Sequence, residues 1–417
     1  MLMLLYFPYG VHIFYAKGEI VKMKRILVFA LIALFLLPVK VYATEENTVF
    51  DDIEAEDFWF KEAAAFTGDF KVKSAYLTDY LTGTVLYAKN ELEKLPIASV
   101  TKIMTSLLVF EALEAGKITY DEQVTVSDHA ASMGGSQVYL EPGEQMSVRD
   151  LMKAMMISSA NDATVALAEH IAGSVETFVG MMNNRAAALG MNNTAFKNPH
   201  GLDEEGHYSC AKDVAVMTRE LLSHEDVTEF TTVWMDTIRD GAFGLSNTNK
   251  LIRYYSGATG MKTGFTNAAG FCLSGTAMRD GLHLIAVVLG GETSNERFGT
   301  VKKMLDYGFA NYAVLTPEHL KVEDIFVPGG RDNYLSADYT PPSMLTEKGL
   351  GGEITQRISV FEDICAPVAK GDKVGRVDVY RDGELIATAD LLATESIDRI
   401  GFGELFLRIL KTAVGFI

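Results

Sequence analysis

A serine and a lysine separated by two residues stand at the start of a long apolar run. Ser99 and Lys102 would lie one turn apart on the same face of a helix, so the amine could reach the hydroxyl. The apolar residues after them recur at helical spacing until Gly116, which predicts a helix with Ser99 in its first turn. The free amides and dipole at that end of a helix favour negative charge on an oxygen. This stretch therefore indicates a serine nucleophile beside a lysine base.

A second Ser-x-x-Lys match, Ser209 to Lys212, means that the pair alone decides little. Only the first match is followed by a Ser-x-Asn, which is Ser159-Ala160-Asn161, and then by Lys262-Thr263-Gly264. These three motifs in this order resemble those of the low-molecular-mass penicillin-binding proteins, the serine D-alanyl-D-alanine carboxypeptidases. The resemblance extends over residues 70–417.

The chemistry of such a site requires a lysine without charge. A serine hydroxyl attacks a peptide carbonyl only if another group takes its proton, and Lys102 can take that proton only when neutral. Burial and a second nearby cation both lower the pKa of a lysine, and Lys262 is the natural source of that cation. By resemblance to the family, Ser159 relays a proton towards the leaving amine, and Asn161 holds either the substrate amide or Lys102.

The segment Lys262-Thr263-Gly264 suits the free carboxylate at the end of a peptide. A fixed cation and a hydroxyl can hold the carboxylate, and a glycine lets backbone approach closely. The resemblance implies that the backbone amides of Ser99 and Phe265 form an oxyanion hole. It also implies that Arg297 helps to hold the terminal carboxylate, although a surface arginine at a helix start is the alternative interpretation.

The pattern of apolar residues predicts helices and antiparallel strands in one large domain. A hairpin is expected over residues 71–88, and two strands joined by a short turn are expected over 271–289. Helices are expected over 151–157, 163–171, 175–189 and 296–312. Together with the resemblance, this predicts an α+β fold with a β-lactamase/transpeptidase-like domain, in which helices flank an antiparallel sheet. A small all-β sandwich and a C-terminal amphipathic helix should follow it.

The chain divides into six predicted segments. The first three are 1–22, a possible non-native extension if translation begins at Met23, then 23–43, a signal peptide, and 44–66, an acidic spacer. The other three are 67–317, the penicillin-binding peptidase domain, 318–395, the β-sandwich, and 396–417, an amphipathic membrane anchor. A genuine N-terminal anchor and a tail helix docked on the β-domain are the alternatives to the first and last of these assignments.

Composition restricts the partners of this chain. A formal net charge of −18 without basic blocks argues against nucleic-acid binding. Cys210, Cys272 and Cys365 are odd in number and widely separated, so they define neither a disulfide framework nor a metal-binding motif. We expect no cofactor and no metal ion.

Three other functions compete with a carboxypeptidase. A class A β-lactamase would share the motif residues, but it needs a glutamate placed after the Ser-x-Asn to activate the deacylating water. The acids within 141–144 precede Ser159, and 197–200 contains none, so slow deacylation of penicillin is expected. A non-enzymatic wall-binding protein is the second alternative. The third is a metallopeptidase built on His200, Asp203 and His207.

The favoured interpretation is a secreted serine DD-carboxypeptidase attached to the outer face of the cytoplasmic membrane. It would remove the terminal D-alanine from peptidoglycan stem pentapeptides through an acyl-enzyme, and β-lactam antibiotics would inhibit it. The expected partners are therefore the D-Ala-D-Ala stem peptide, β-lactams and a membrane surface under the C-terminal helix. The predicted catalytic residues are Ser99, Lys102 and Ser159, and the predicted substrate-binding residues are Asn161, Lys262, Thr263, Gly264, Phe265 and Arg297.

Overall fold

A computed structural model of the chain describes residues 70–414. The predicted N-terminal extension (1–22), signal peptide (23–43) and acidic spacer (44–66) all lie outside the described residues. The side chains from residue 411 onward also lie outside the description.

Helices form where apolar residues recur at helical spacing between capping residues. Ser147, for example, accepts a hydrogen bond from the Asp150 amide at 3.1 Å and so caps the helix that follows it. The helices are α1 (Lys102–Glu114), α2 (Asp128–Ala131), α3 (Val148–Ile157), α4 (Asn161–Ala172), α5 (Val175–Ala188), α6 (Ala211–Leu221), α7 (Val227–Thr231), α8 (Leu251–Tyr254), α9 (Ser294–Asn311) and α10 (Phe402–Val414).

All strand pairs in the described residues are antiparallel. The strands are β1 (Ser74–Asp79), β2 (Val85–Lys89), β3 (Gln123–Thr125), β4 (Gln145–Ser147), β5 (Met235–Ile238), β6 (Phe243–Ser246), β7 (Ala258–Thr266), β8 (Gly270–Arg279), β9 (Leu282–Gly291), β10 (Tyr312–Leu315), β11 (Ile325–Phe326), β12 (Tyr334–Leu335), β13 (Ala337–Asp338), β14 (Met344–Glu347), β15 (Ile354–Val360), β16 (Lys373–Arg381) and β17 (Glu384–Ala393).

The main sheet has five strands in the order β2-β1-β9-β8-β7. Strand β9 is central, and both of its faces are covered, which accounts for its almost wholly apolar composition. One core cluster packs α1, α3, α4, α5 and α6 on one face of the sheet, and a second packs α9 on the other. The predicted α+β class is confirmed. Strand β7 lies at one edge of the sheet, so the backbone groups on its outer side have no partner strand in this sheet.

Two local features differ from the sequence prediction. Ser99 lies in a 3-10 turn, Ala98–Thr101, and the α-helix begins only at Lys102. We call Ala98–Thr101 the serine turn. Strand β7 was not predicted, because its glycines and polar residues interrupt the β-prone pattern that identifies its neighbour β8.

The C-terminal part contains a four-stranded sheet, in the order β13-β17-β16-β15, and the β11–β12 hairpin around a third core cluster. Strand β14 pairs back with β10, so residues 312–315 and 344–347 form one ladder across the predicted boundary at 317. That boundary stays a prediction. Within residues 70–414, no helix combines the length and the apolar character needed to cross a bilayer.

Candidate active site

Two residues at the predicted site hold a left-handed backbone conformation although they are not glycines. Ala98, directly before the predicted nucleophile, has φ +48°, and Ser159 has φ +64°. Such residues each cost on the order of 1–3 kcal/mol and persist only where the surrounding structure fixes them. At Gly201 an added Cβ would overlap the Ala98 carbonyl, so a neighbouring loop presses directly on the serine turn. The backbone around Ser99 is therefore tightly fixed.

Lys102 lies at the centre of the site and is only 1% exposed. Its Nζ is 3.1 Å from Ser99 Oγ, 2.6 Å from Asn161 Oδ1 and 2.8 Å from the His200 carbonyl oxygen. The last two oxygens can only accept hydrogen bonds. A neutral amine has two hydrogens and one lone pair, so these acceptors take both hydrogens. The lone pair is then directed at the Ser99 hydroxyl.

Burial and two neighbouring charges control the pKa of Lys102. Burial lowers this pKa well below its ordinary value, and the charge of Lys262 lowers it further, while the Asp162 carboxylate opposes both effects. The net direction favours the neutral amine. The arrangement can thus accept a proton from Ser99.

Residues 159–162 bring a second set of polar groups to the same place. Asn161 donates from Nδ2 to the Gly134 carbonyl at 2.7 Å, which turns its Oδ1 towards Lys102. The fully buried Asp162 accepts hydrogen bonds from the amides of Val138 at 3.0 Å and Leu140 at 3.1 Å. Ser159, 4% exposed, stands two residues before Asn161 in the turn between α3 and α4. This turn and the loop 134–140 therefore form one wall of the site.

Strand β7 forms the opposite wall. At Gly264 an added Cβ would lie 2.7 Å from the Ile97 carbonyl oxygen and 3.0 Å from the Ser99 amide nitrogen. Any side chain there would displace the serine turn, so the glycine permits the close approach that the sequence predicts. Phe265 follows with 51% of its surface exposed, and its ring lies 4.4 Å from that of Phe271.

Lys262 and Thr263 lie side by side on this strand and are almost completely buried. Lys262 Nζ donates to the Thr263 carbonyl at 3.0 Å, and Thr263 Oγ1 donates to Thr248 Oγ1 at 2.7 Å. Burial and the charge of Arg297 lower the pKa of Lys262 to about 7. Below that pH Lys262 is an ammonium, and no carboxylate within residues 70–414 pairs with it, as an anion-binding site requires.

Arg297 is buried, with 7% of its surface exposed, which contradicts the alternative of a surface arginine. Its Nη1 donates to the carbonyls of Gly264 at 3.0 Å and Cys272 at 3.2 Å, so it binds the backbone of β7 and β8 from behind. Burial lowers the pKa of Arg297 to about 10, which still leaves it charged. Its positive charge lowers the pKa of Lys262, and its hydrogen bond to Gly264 fixes the strand that carries the lysine.

The residues of the alternative functions lie elsewhere or have other partners. His207 uses Nε2 with Thr101 Oγ1 at 2.8 Å and Nδ1 with the Lys197 amide at 3.1 Å. Across residues 70–414, no group of three or more His, Cys, Asp or Glu side chains is arranged to hold a metal ion. Glu144 pairs with Arg239 at 2.7 Å, so this carboxylate already has a charged partner.

Sequence reasoning missed two groups that define the site. One is the His200 carbonyl, which any residue type could supply, so no sequence signal identifies it. The other is Asp162, which directly follows the Ser-x-Asn motif and could have been noticed for that reason. The His200 carbonyl orients Lys102, and Asp162 binds the loop that carries Val138 and Leu140.

Comparison with known proteins identifies the family. Residues 61–293 match the D-alanyl-D-alanine carboxypeptidase family. The chain belongs to this family. Residues 322–399 of the carboxypeptidase match the C-terminal domain of penicillin-binding protein 5.

Relatives agree along most of the chain. D-alanyl-D-alanine carboxypeptidase DacF of Bacillus subtilis is 44% identical over 352 residues, which cover 83% of this carboxypeptidase and 90% of the relative. The crystal structure of penicillin-binding protein 5 from Haemophilus influenzae has a TM-score of 0.66 at 32% identity and covers 80% of this chain and 99% of that one. The ampicillin-bound penicillin-binding protein D2 of Listeria monocytogenes has a TM-score of 0.53 at 36% identity and covers 58% and 98%. The protein is thus a serine-type D-Ala-D-Ala carboxypeptidase of the penicillin-binding class.

Proposed function

We propose that the carboxypeptidase cleaves the terminal D-alanine from its peptide with Ser99 as nucleophile and Lys102 as general base. The observation that carries this assignment is the position of Lys102 Nζ between one hydroxyl and two obligate acceptors, Asn161 Oδ1 and the His200 carbonyl. That geometry leaves a lone pair for the Ser99 proton. The lowered pKa of Lys102 keeps the lone pair available.

The proposed reaction proceeds in two steps. Ser99 Oγ bonds to the carbonyl carbon of the penultimate D-alanine while Lys102 takes the hydroxyl proton, and the backbone amides of Ser99 and Phe265 stabilise the oxyanion. The C–N bond then breaks as a proton passes through Ser159 to the leaving D-alanine amine. A water molecule hydrolyses the ester and returns Ser99 to its free form.

Lys262 and Thr263 are the proposed ligands of the substrate's terminal carboxylate. They are consecutive residues of β7, the strand that approaches the serine turn, and Arg297 binds the backbone of this strand. A β-lactam also presents a carboxylate near a reactive amide, so the same groups would orient it for attack by Ser99. The β-lactam acyl-enzyme would then persist. A class A β-lactamase uses a glutamate after its Ser-x-Asn to activate the deacylating water, whereas the acids within 141–144 precede Ser159.

The test is to incubate purified protein with a D-Ala-D-Ala pentapeptide and then with labelled penicillin. We expect release of one D-alanine per peptide and one covalent adduct, located on the tryptic peptide that contains Ser99. A chelator should leave both reactions unchanged. An adduct on another residue, or cleavage that a chelator stops but penicillin does not, would contradict the proposal and favour a metallopeptidase.

The pH dependence of substrate capture should report on Lys262. Its pKa is about 7 in the empty site, so the ammonium that binds the carboxylate is present below this pH and is lost above it. We therefore expect kcat/KM for a D-Ala-D-Ala peptide to fall by about tenfold per pH unit on the alkaline side of pH 7. Measuring kcat/KM across this range for the peptide and for its C-terminal amide tests the assignment. The same alkaline limb for both substrates would be inconsistent with carboxylate binding by Lys262.

A substrate in peptidoglycan supports a location of the enzyme outside the cytoplasmic membrane, since that polymer lies there. We propose further that α10 attaches the enzyme to the membrane surface. Its polar side contacts the loop between β11 and β12: Glu404 pairs with Arg331 at 2.6 Å, and Arg408 donates to Asn333 Oδ1 at 2.8 Å. The opposite side is apolar and exposed; its residues include Phe402 at 85%, Phe406 at 54% and Ile409 at 54%. The β-domain thus holds the helix by its polar side, so docking does not cover the apolar side.

Membrane attachment should depend on that apolar side. For a chain that begins at Thr44, replacing Phe402 and Phe406 with aspartate should abolish co-sedimentation with lipid vesicles and leave peptide cleavage unchanged. Deleting 396–417 should have the same effect. As a control, Phe326→Asp places the same charge on another exposed aromatic residue, 60% exposed on β11, and should leave vesicle binding intact. Vesicle binding by the chain without 396–417 would refute the anchor.

A further inference from the structure

The loop 197–207 supplies the acceptor that orients Lys102, and α1 holds this loop at two successive carbonyls. Thr105 Oγ1 donates to the Pro199 carbonyl at 2.6 Å, and Lys102 Nζ donates to the next carbonyl, that of His200, at 2.8 Å. Thr105 has no exposed surface. Residues three apart on a helix lie on the same face, so Lys102 and Thr105 contact the loop side by side.

Thr101, the residue directly before α1, binds the far end of the same loop. Thr101 Oγ1 is 2.8 Å from His207 Nε2, while His207 Nδ1 accepts a hydrogen bond from the Lys197 amide at 3.1 Å. An Nδ1 that accepts leaves the proton on Nε2, so His207 donates to Thr101. Burial lowers the pKa of His207 to about 4, so this neutral form persists at physiological pH.

The loop between these two attachments is internally rigid. Asn198 accepts from the Gly201 amide at 2.7 Å and donates to the Leu202 carbonyl at 3.1 Å. Gly201 has φ +89° and touches the serine turn, where no larger residue fits. A displacement of the Pro199 carbonyl must therefore move the His200 carbonyl with it.

We propose that Thr105 is a positioning residue for the general base: it fixes the Pro199–His200 backbone, so that the lone pair of Lys102 points at Ser99. Thr101 supports the same loop through His207. This inference rests on the proposed role of Lys102 as the base. Thr105 is fully buried, and its hydroxyl acts on Lys102 through the Pro199 carbonyl, which precedes the carbonyl that orients the lysine.

The test replaces Thr105 with valine, which keeps the shape and removes the donor, and with serine, which keeps the donor. We expect the acylation rate of Thr105→Val at its pH plateau to fall by about tenfold or more, because small misplacements of reacting groups are that costly. Non-covalent binding of the peptide should not change. The acid limb of the rate profile should move to lower pH, because the Lys102 ammonium loses one of its three acceptors. Thr105→Ser should restore both the rate and the limb.

Thr78→Val is the matched control, since Thr78 is 4% exposed and also donates to a backbone carbonyl, that of Thr84, at 2.8 Å. Rates are normalised to the protein that binds penicillin, so loss of folded protein does not count. The inference is overturned if Thr105→Val acylates at the wild-type rate. It is also overturned if Thr105→Ser acylates as slowly as Thr105→Val, or if Thr78→Val shows the same loss of rate. Should Thr105→Val not fold, Thr101→Val is measured in the same way and must show the same slow acylation. An inactive wild-type enzyme, or an adduct away from Ser99, would instead refute the proposed function.

Discussion

Ser99→Ala is expected to abolish both the release of D-alanine and the formation of a penicillin adduct. Without Oγ no ester bond can form, and binding alone leaves little rate enhancement, so cleavage should fall by at least about 10⁴-fold. The substitution removes one atom from a turn whose backbone is fixed by Gly264 and Gly201, so folding should be retained. Intact-protein mass spectrometry after exposure to penicillin, together with a D-alanine release assay, measures both effects.

The control is the serine of the second Ser-x-x-Lys match. Ser209 has no exposed surface, and its Oγ lies 2.7 Å from Thr194 Oγ1. Ser209→Ala loses this hydrogen bond, worth about 1 kcal/mol of stability, but should acylate at the wild-type rate. An adduct that survives Ser99→Ala, or that disappears in Ser209→Ala, would show that the nucleophile has been assigned wrongly.

Lys102→Met should slow acylation by about 10³-fold without weakening non-covalent binding of the substrate. A general base contributes about 10²–10⁴-fold, and methionine fills much of the space of a buried lysine without a lone pair of that basicity. The change also leaves Asn161 Oδ1 and the His200 carbonyl without their donor, at a cost of about 1–3 kcal/mol of stability each. Stopped-flow acylation at increasing penicillin concentration separates the rate from the binding.

Lys212→Met is the corresponding control in the second match, where the lysine is exposed. It should leave acylation and stability within the error of the measurement, because an exposed lysine away from the site has no proton to exchange with Ser99. If Lys102→Met acylates within a few fold of the wild type, another group must take the serine proton. The proposed mechanism would then need a different base.

Residue order was enough to predict which motif side chains contact Lys102. Asn161 is far from Ser99 and Lys102 in the sequence, yet Ser99 Oγ and Asn161 Oδ1 both lie within 3.1 Å of Lys102 Nζ. The helical spacing of Ser99 and Lys102 placed them together correctly, although the serine lies in a 3-10 turn. A 3-10 turn and a turn of α-helix both place residues three positions apart on the same side. The contact between Ser99 and Lys102 is therefore the same in either conformation.

Backbone features were less predictable. The carbonyls of Pro199 and His200 act through their positions in space, and a carbonyl is common to every residue type. The left-handed conformation of Ala98 is imposed by its neighbours, since alanine has no preference for it. Strand β7 forms because β8 pairs with it along its length, which overrides the weak β propensity of its own glycines. Tertiary context decides all three.

The crowding of positive charge around β7 links catalysis to the stability of the whole domain. Arg297 lies close enough to Lys262 to disfavour the charge of the lysine, and burial removes most of the water that would screen the two groups. An empty enzyme must tolerate that repulsion, whereas any bound anion relieves it. Ligands with a carboxylate should therefore raise the melting temperature of this carboxypeptidase even when they cannot react, and uncharged analogues of the same shape should raise it less.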